Sequence, residues 1–229
     1  MALRRFHRLE RKLTRDSELR RQYEVFMEEY IQLGHMSQIG SIDNMYTLNN
    51  LDKVYYLPHH AVVKQGSATT KYRVVFDGSA TTDTGISLNE SLMVGPKLQD
   101  DLLNIILRFR RHNIVIGADI AKMYRCIWVN EKQRDLQRIL WRLNAEEEIK
   151  VYKLNTLTYG TAPAAYLAIR CLQQLAHDNK DNFPKAAQVI LSDFYVNYLL
   201  MGVDNVEKAR ILKEHISNIL DGAEFCLRK

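Results

Sequence analysis

Two apolar segments constrain this chain more than any other feature: NIVIGADI at 113–120 and QVILSDFYVNYLLMGV at 188–203. The first is a short, β-branched run that stops at an aspartate. The second is a pair of apolar runs about a tight polar apex. Both are too short to cross a bilayer, and both carry residue types that suit a pleated, buried surface. Around them the order is readable. MYRCIWV (123–129) reads as a second β-like piece, and RILWRL and IKVYKLN as two strands about the acidic turn NAEEE. The turn TYGTAP leads into an apolar helix over 164–177, residues 205–220 are helical again, and AEFCLRK begins a last strand. Strand, strand pair, helix, strand hairpin, helix, strand is the order of an α+β fold. It predicts an antiparallel sheet backed by helices, close to the split βαβ pattern.

The N-terminal half is less regular. Residues 4–33 read as helix, with Leu9, Leu13, Leu19, Tyr23, Phe26 and Tyr30 recurring between charged residues until Gly34 stops the run. These apolar residues are expected to pack inward. Residues 35–53 are polar and without period, and predict a connecting loop. YYLPHHAVVK (55–64) and KYRVVFDG (71–78), joined by QGSATT, predict a hairpin-like strand pair with Pro58 at the edge of the first strand. His59 and His60 are adjacent in that strand, so they point to opposite faces, which argues against a shared metal. Residues 83–96 are irregular, and 97–111 predict an amphipathic helix with Leu98, Leu102, Ile105, Ile106 and Phe109 on one side.

Composition narrows the class of protein. With 46% hydrophobic and 26% charged residues and no Pro- or Gly-rich tract, the 229-residue chain can bury a core as one domain or two small ones. The N-terminus MALRRFHRLERK is basic but lacks the apolar core of a secretory signal. The expectation is therefore an intracellular protein, cytoplasmic or nuclear, without a membrane partner. Lys and Arg number 32 against 27 acids, a net +5, which is compatible with a polyanionic partner without requiring one. Cys126, Cys171 and Cys226 fit no zinc spacing and are expected to be reduced and mostly buried.

Four segments, in order, resemble reverse transcriptases. They are YYLPHHAVVK with KYRVVFDGSA, NIVIGADIAKMYR, LNTLTYGTA and DFYVNYLLMG. The wording is most similar to the Bel/Pao group of LTR retrotransposons, and SLMVGPKLQDDLLNIILRFR and RCLQQLA between those segments share that likeness. The resemblance implies a right-hand polymerase fingers and palm. It divides the chain into an N-terminal helix and connector (1–53), a fingers-like segment (54–112) and a palm-like segment (113–229), with thumb and ribonuclease H absent. It also implies an RNA or DNA primer-template and a deoxynucleotide as partners, and two Mg2+ (or Mn2+) ions as cofactors. Carboxylates would hold those ions about 4 Å apart, one activating the primer oxygen and the other neutralising the triphosphate.

On its residues alone, Asp119 reads as a turn or cap aspartate. The resemblance makes it a metal ligand, with the backbone carbonyl of Ile120 beside it. Likewise it places Tyr124 against the sugar 2′ position, Lys71 and Arg73, with Lys64 as a weaker candidate, on the triphosphate, and Tyr159-Gly160 under the incoming nucleotide. Without the resemblance, Tyr124 reads as core packing, the cations as strand-surface charges and Gly160 as a turn glycine. The chain departs from the pattern with Pro163 and Ala165, where the family usually has serine and proline. The larger departure is at the apex. Where the family has Tyr-Val-Asp-Asp, this chain has Tyr195-Val196-Asn197-Tyr198. Asn197 carries no charge, and Tyr198 offers a neutral phenol poorly matched to hard, octahedral magnesium. The expectation is a reverse transcriptase domain by descent that has lost polymerase activity. The alternative is a non-catalytic nucleic-acid-binding module or a host-recruited protein-interaction module.

Overall fold

The computed structural model describes residues 1–44, 53–63 and 72–228. They form two compact units, Met1–Met93 with Trp128–Ala162 and Val94–Ile127 with Pro163–Lys229. No helix among the described residues is long and apolar enough to cross a membrane.

In the first unit, α1 (Ala2–Arg15) and α2 (Ser17–Gln32) stand where one helix over 4–33 was predicted. Asp16 divides them: its backbone is extended, and its carboxylate accepts the Leu19 N–H at 2.9 Å as the N-cap of α2. Phe6, Leu9 and Leu13 of α1 and Leu19, Tyr23, Met27 and Tyr30 of α2 are buried. The predicted inward residues are thus core except Phe26, which is half-buried and packs against it. Strands β2 (His59–Val63) and β3 (Tyr72–Phe76) form the expected antiparallel pair, with His59 opposite Phe76. The connection between them, 64–71, lies outside the described residues.

A second, three-stranded antiparallel sheet has the order β1 (Met36–Ser41), β6 (Lys150–Leu154), β5 (Arg138–Trp141). The β5–β6 pair was predicted, but β1 lies where a connecting loop was expected. Only Met36 and Ser41 of β1 are buried, and its register on β6 shifts between Gln38 and Gly40. An edge strand held by backbone hydrogen bonds leaves no apolar alternation to read. The irregular stretch 83–96 also contains a short helix, α3 (Leu88–Ser91), started by a capping box in which Ser87 and Glu90 satisfy each other's backbone N–H groups.

The second unit is built on a four-stranded antiparallel sheet of order β7 (Phe194–Tyr195), β8 (Tyr198–Val203), β4 (Ile114–Ile120), β9 (Leu227–Arg228). Helix α4 (Leu102–Phe109) packs on β7 and β8, and α7 (Val206–Asp221) on β4 and β8. Helices α5 (Ala164–Asp178) and α6 (Pro184–Ser192) pack against each other and against α7. Three predictions need correction here. The β-like piece 123–129 is a 3-10 turn over Met123–Cys126, because left-handed backbone at Lys122 (φ 51°) ends the extended run. The first arm of the 188–203 hairpin is mostly helix, since Pro184 opens α6 and Ala186, Ala187 and Ile190 face inward at helical spacing. Finally, the 97–111 helix shrinks to α4, which buries only Ile105 and leaves Leu102, Leu103 and Leu107 exposed. The cysteines are free, with Cys226 exposed and the other two half-buried rather than fully buried.

His59 ties the layers of the first unit together. It is buried, with Nε2 2.8 Å from the Leu140 carbonyl oxygen and Nδ1 against the Tyr23 hydroxyl. A carbonyl can only accept, so Nε2 carries the hydrogen and Nδ1 accepts from the phenol. Burial among Phe6, Phe76 and Trp141 lowers the imidazole pKa to about 4. As pH falls from 6.5 to about 4 the unfolded chain takes up a proton at residue 59 that the folded chain refuses, so stability drops through that window. The loss at its lower end is about 3 kcal/mol. Thermal melts from neutral pH down to this range should show the decline, and His59→Gln, although less stable at neutral pH, should flatten it. Equal slopes in the two proteins would remove His59 as its source.

Candidate functional site

In the second unit, β4 delivers Asp119 to its C-terminal end, and β7 and β8 are joined by the two-residue turn Val196-Asn197 with Tyr195 facing Tyr198. Pairing of β4 with β8 sets Asp119 opposite Tyr198 and Gly117 opposite Leu200. The Ile120 N–H donates to the Asn197 carbonyl at 2.8 Å. Hydrogen-bonded and non-hydrogen-bonded pairs alternate along an antiparallel ladder, so Asp119 and Tyr198 form a non-hydrogen-bonded pair with Cα atoms about 4.5 Å apart. The hairpin tip and the end of β4 therefore meet. Alternation puts Gly117, Asp119 and Tyr198 on one face, and Ile120, Leu199 and Met201 in the core. The Tyr198 ring leans over Gly117: a Cβ there would lie 2.9 Å from the phenol oxygen.

The turn is strained, and its shape is supported from outside the hairpin. Val196 has φ 55° while Asn197 does not share the positive sign, the pattern of a II′ turn, whose first central position favours glycine. For a β-branched residue this costs about 1–2 kcal/mol. The Val196 N–H donates to Gln99 Oε1 at 2.9 Å. At the hairpin's base, Arg108 donates to the Ser192 carbonyl and to Asp193 Oδ1 (3.4 Å), and is paired with Asp100 at 2.8 Å. Gln99 and Arg108 carried no sequence signal beyond lying in or near a predicted helix. Tyr124 sits on the 3-10 turn after β4, half-buried, with burial raising its phenol pKa.

Asp119 is half-buried, and among the described residues its carboxylate has no hydrogen bond or ion pair. The other acids near the hairpin are occupied. Asp193 receives Arg108 and the Ser192 hydroxyl (3.0 Å). Asp204 is held by Lys208 at 3.0 Å, which keeps its carboxyl below the usual range, and lies 3.6 Å from His112. Two divalent cations require several hard, anionic oxygens. Here Asp119 faces a phenol, and no group of three or more His, Cys, Asp or Glu among the described residues is arranged to hold a metal. The residues at the apex do not fit a two-magnesium centre.

In the first unit, Arg73 is exposed on β3, opposite Val62, with no partner among the described residues. Lys71 and Lys64 lie outside the described residues. Tyr159 donates its hydroxyl to the Val74 carbonyl at 2.6 Å and packs its ring 5.6 Å from that of Phe76. Gly160 adopts φ 95°, and a Cβ on it would lie 2.2 Å from the Phe76 carbonyl oxygen. The Tyr159-Gly160 turn is thereby locked onto β3. Asn89 on α3 completes the lock. Its amide donates to the Gly160 carbonyl (3.0 Å) and the Ser79 hydroxyl (2.9 Å) and accepts the Ala162 N–H (2.7 Å). Sequence reasoning missed Asn89, since its partners are distant in the chain and its neighbourhood reads as irregular.

The two glycines differ in what surrounds them. Gly160→Ala forces backbone against backbone in left-handed geometry and should cost about 3 kcal/mol or more in urea unfolding. Gly117→Ala meets only the far end of the Tyr198 side chain, which can swing away, and should cost less than about 1 kcal/mol. Comparable losses at both positions would contradict this difference.

No family model and no curated protein matches the chain. Solved structures do. The chain is similar to the selenomethionine-labelled CSH mutant of prototype foamy virus protease-reverse transcriptase, with TM-score 0.67 and 13% identity over 93% of this chain and 24% of that one. The native prototype foamy virus enzyme gives TM-score 0.64 and 14% identity over 89% and 22%. A foamy viral protease-reverse transcriptase in complex with double-stranded DNA gives 0.61 and 16% over 86% and 28%. This chain thus spans about a quarter of the length of those it matches. At such identities the likeness establishes the fold: a mixed α/β architecture with antiparallel sheets, like that of a retroviral reverse transcriptase.

Proposed function

We propose that this chain is a reverse transcriptase module of Bel/Pao LTR-retrotransposon descent, with fingers-like (54–112) and palm-like (113–229) parts, in which DNA synthesis no longer operates. The observation that carries this reading is Tyr198 standing opposite Asp119 on a turn whose other apex residue is Asn197. Two-metal nucleotidyl transfer depends on carboxylates to hold the cations that activate the primer oxygen and neutralise the triphosphate. With one carboxylate of three present, and several kcal/mol of transition-state stabilisation lost per missing ligand, the rate falls by about three orders of magnitude or more. The scaffold can still bind. Arg73 offers an exposed guanidinium for phosphate, and one similar structure is a complex with double-stranded DNA. A second reading, a non-catalytic module recruited to bind a protein, is favoured by the exposed Leu102, Leu103 and Leu107 on α4.

Primer extension on an RNA template, with Mg2+ or Mn2+, tests the proposal by comparing the chain with its Asn197→Asp, Tyr198→Asp variant. The unaltered chain should incorporate no deoxynucleotide above background, whereas the double variant should show extension. Incorporation by the unaltered chain would refute the loss of activity. Oligonucleotide binding that weakens steeply with salt favours the nucleic-acid reading over the protein-docking one.

A further inference from the structure

Helix α1 carries five arginines; Arg5 is paired with Asp77 at 2.6 Å, and the other four, Arg4, Arg8, Arg11 and Arg15, are all exposed. At 3.6 residues per turn they fall within an arc of about 60°, directly opposite the buried Phe6, Leu9 and Leu13. Along the axis the row runs about 16 Å, the rise of roughly five nucleotides of one strand. None of Arg8, Arg11 and Arg15 has a hydrogen-bond or ion-pair partner among the described residues, and Arg4 has only an exposed Asp83 oxygen at 3.8 Å. The neighbouring helix behaves differently. On α2, Arg20 and Arg21 are paired with Glu24 and Glu18 at 2.7 and 2.9 Å, in the usual i,i+4 and i,i+3 manner.

On α1 the corresponding positions hold like charges: Arg4 precedes Arg8, Arg8 precedes Lys12, and Arg11 precedes Arg15. Each such pair destabilises a helix by a few tenths of a kcal/mol. The first turn has no acid to offset the helix dipole. The one acid within the helix, Glu10, is taken up by Arg142 at 2.7 and 3.1 Å and by His7 at 3.0 Å, so it leaves the row uncompensated.

From this we infer that the exposed face of α1 is a docking strip for the phosphate backbone of nucleic acid. The inference goes beyond the polymerase reading, since no residue of the row belongs to the polymerase-like positions. Guanidinium groups present planar, paired donors suited to phosphate oxygens, and a regular row suits a regularly repeated anion. The apolar face of α1 is committed to the core, so the helix cannot insert into a lipid surface. The hollow beside the row is lined by polar side chains and Ala145, with no large apolar residue to anchor a protein partner.

Fluorescence anisotropy with a short labelled single-stranded oligonucleotide tests this across a salt series. Arg8→Ala with Arg11→Ala should weaken binding about twentyfold at about 0.1 M salt and reduce the slope of log K against log salt by about 1.4. The Arg8→Lys, Arg11→Lys variant should recover most of that slope, and melting temperatures should not fall in either. Arg73→Ala is measured in parallel: loss of binding there alone, with the strip variants unchanged, overturns this inference while leaving the first reading intact. Loss in the strip variants alone supports the inference and removes Arg73 from the first reading. Absence of oligonucleotide binding overturns it as well. So does displacement of the oligonucleotide by poly-glutamate at equal charge concentration, or strip-dependent binding to phosphatidylserine vesicles without oligonucleotide binding.

Discussion

The register of β4 on β8 decides everything at the apex. Side chains alternate along a strand, so a slip of one residue would turn Asp119 into the core and Ile120 into solvent. That slip is opposed by Ile120, Leu199 and Met201, each 1% exposed, and by the Ile120–Asn197 backbone hydrogen bond. The location of Asp119 opposite residue 198 is therefore a product of apolar packing. It needs no bound ion to maintain it. The same packing fixes where any side chain at residue 198 begins, whether phenol or carboxylate.

The parts of this arrangement legible in the sequence were those written in alternation and local chemistry. NIVIGADI announced a short apolar strand running to an acid, and DFYVNYLLMG a tight turn between apolar arms. Less legible were elements whose stability comes from distant partners. β1 is polar and held at the edge of a sheet by β6, so its sequence looks like loop. The arm before Phe194 is rich in β-formers, yet tertiary packing of Ala186, Ala187 and Ile190 makes it helix. Asn89, Gln99 and Arg108 act through hydrogen bonds spanning many residues, which no local period records. The likeness to reverse transcriptases read from motifs agrees with the foamy virus structures at the level of fold.

Polar groups inside the first unit follow one rule, that a buried donor or acceptor must find its complement. His59 does so as a neutral ring between a phenol and a carbonyl. Arg138, 1% exposed, does so with Asp135 at 2.7 Å and the ring of Tyr56. Such groups contribute less to net stability than the apolar side chains around them, because desolvation offsets most of the attraction. They do limit how the layers can be arranged, since any other packing would leave a buried charge or imidazole without a partner.

The turn Val196-Asn197 takes its shape from Gln99, Arg108 and backbone pairing with β4, and so from no side chain that would bind metal. Shape and chemistry at the apex are consequently separable. In the genetic code, asparagine and tyrosine each differ from aspartate by a single first-position base. The gap between this apex and a carboxylate pair is thus two point changes in the coding sequence.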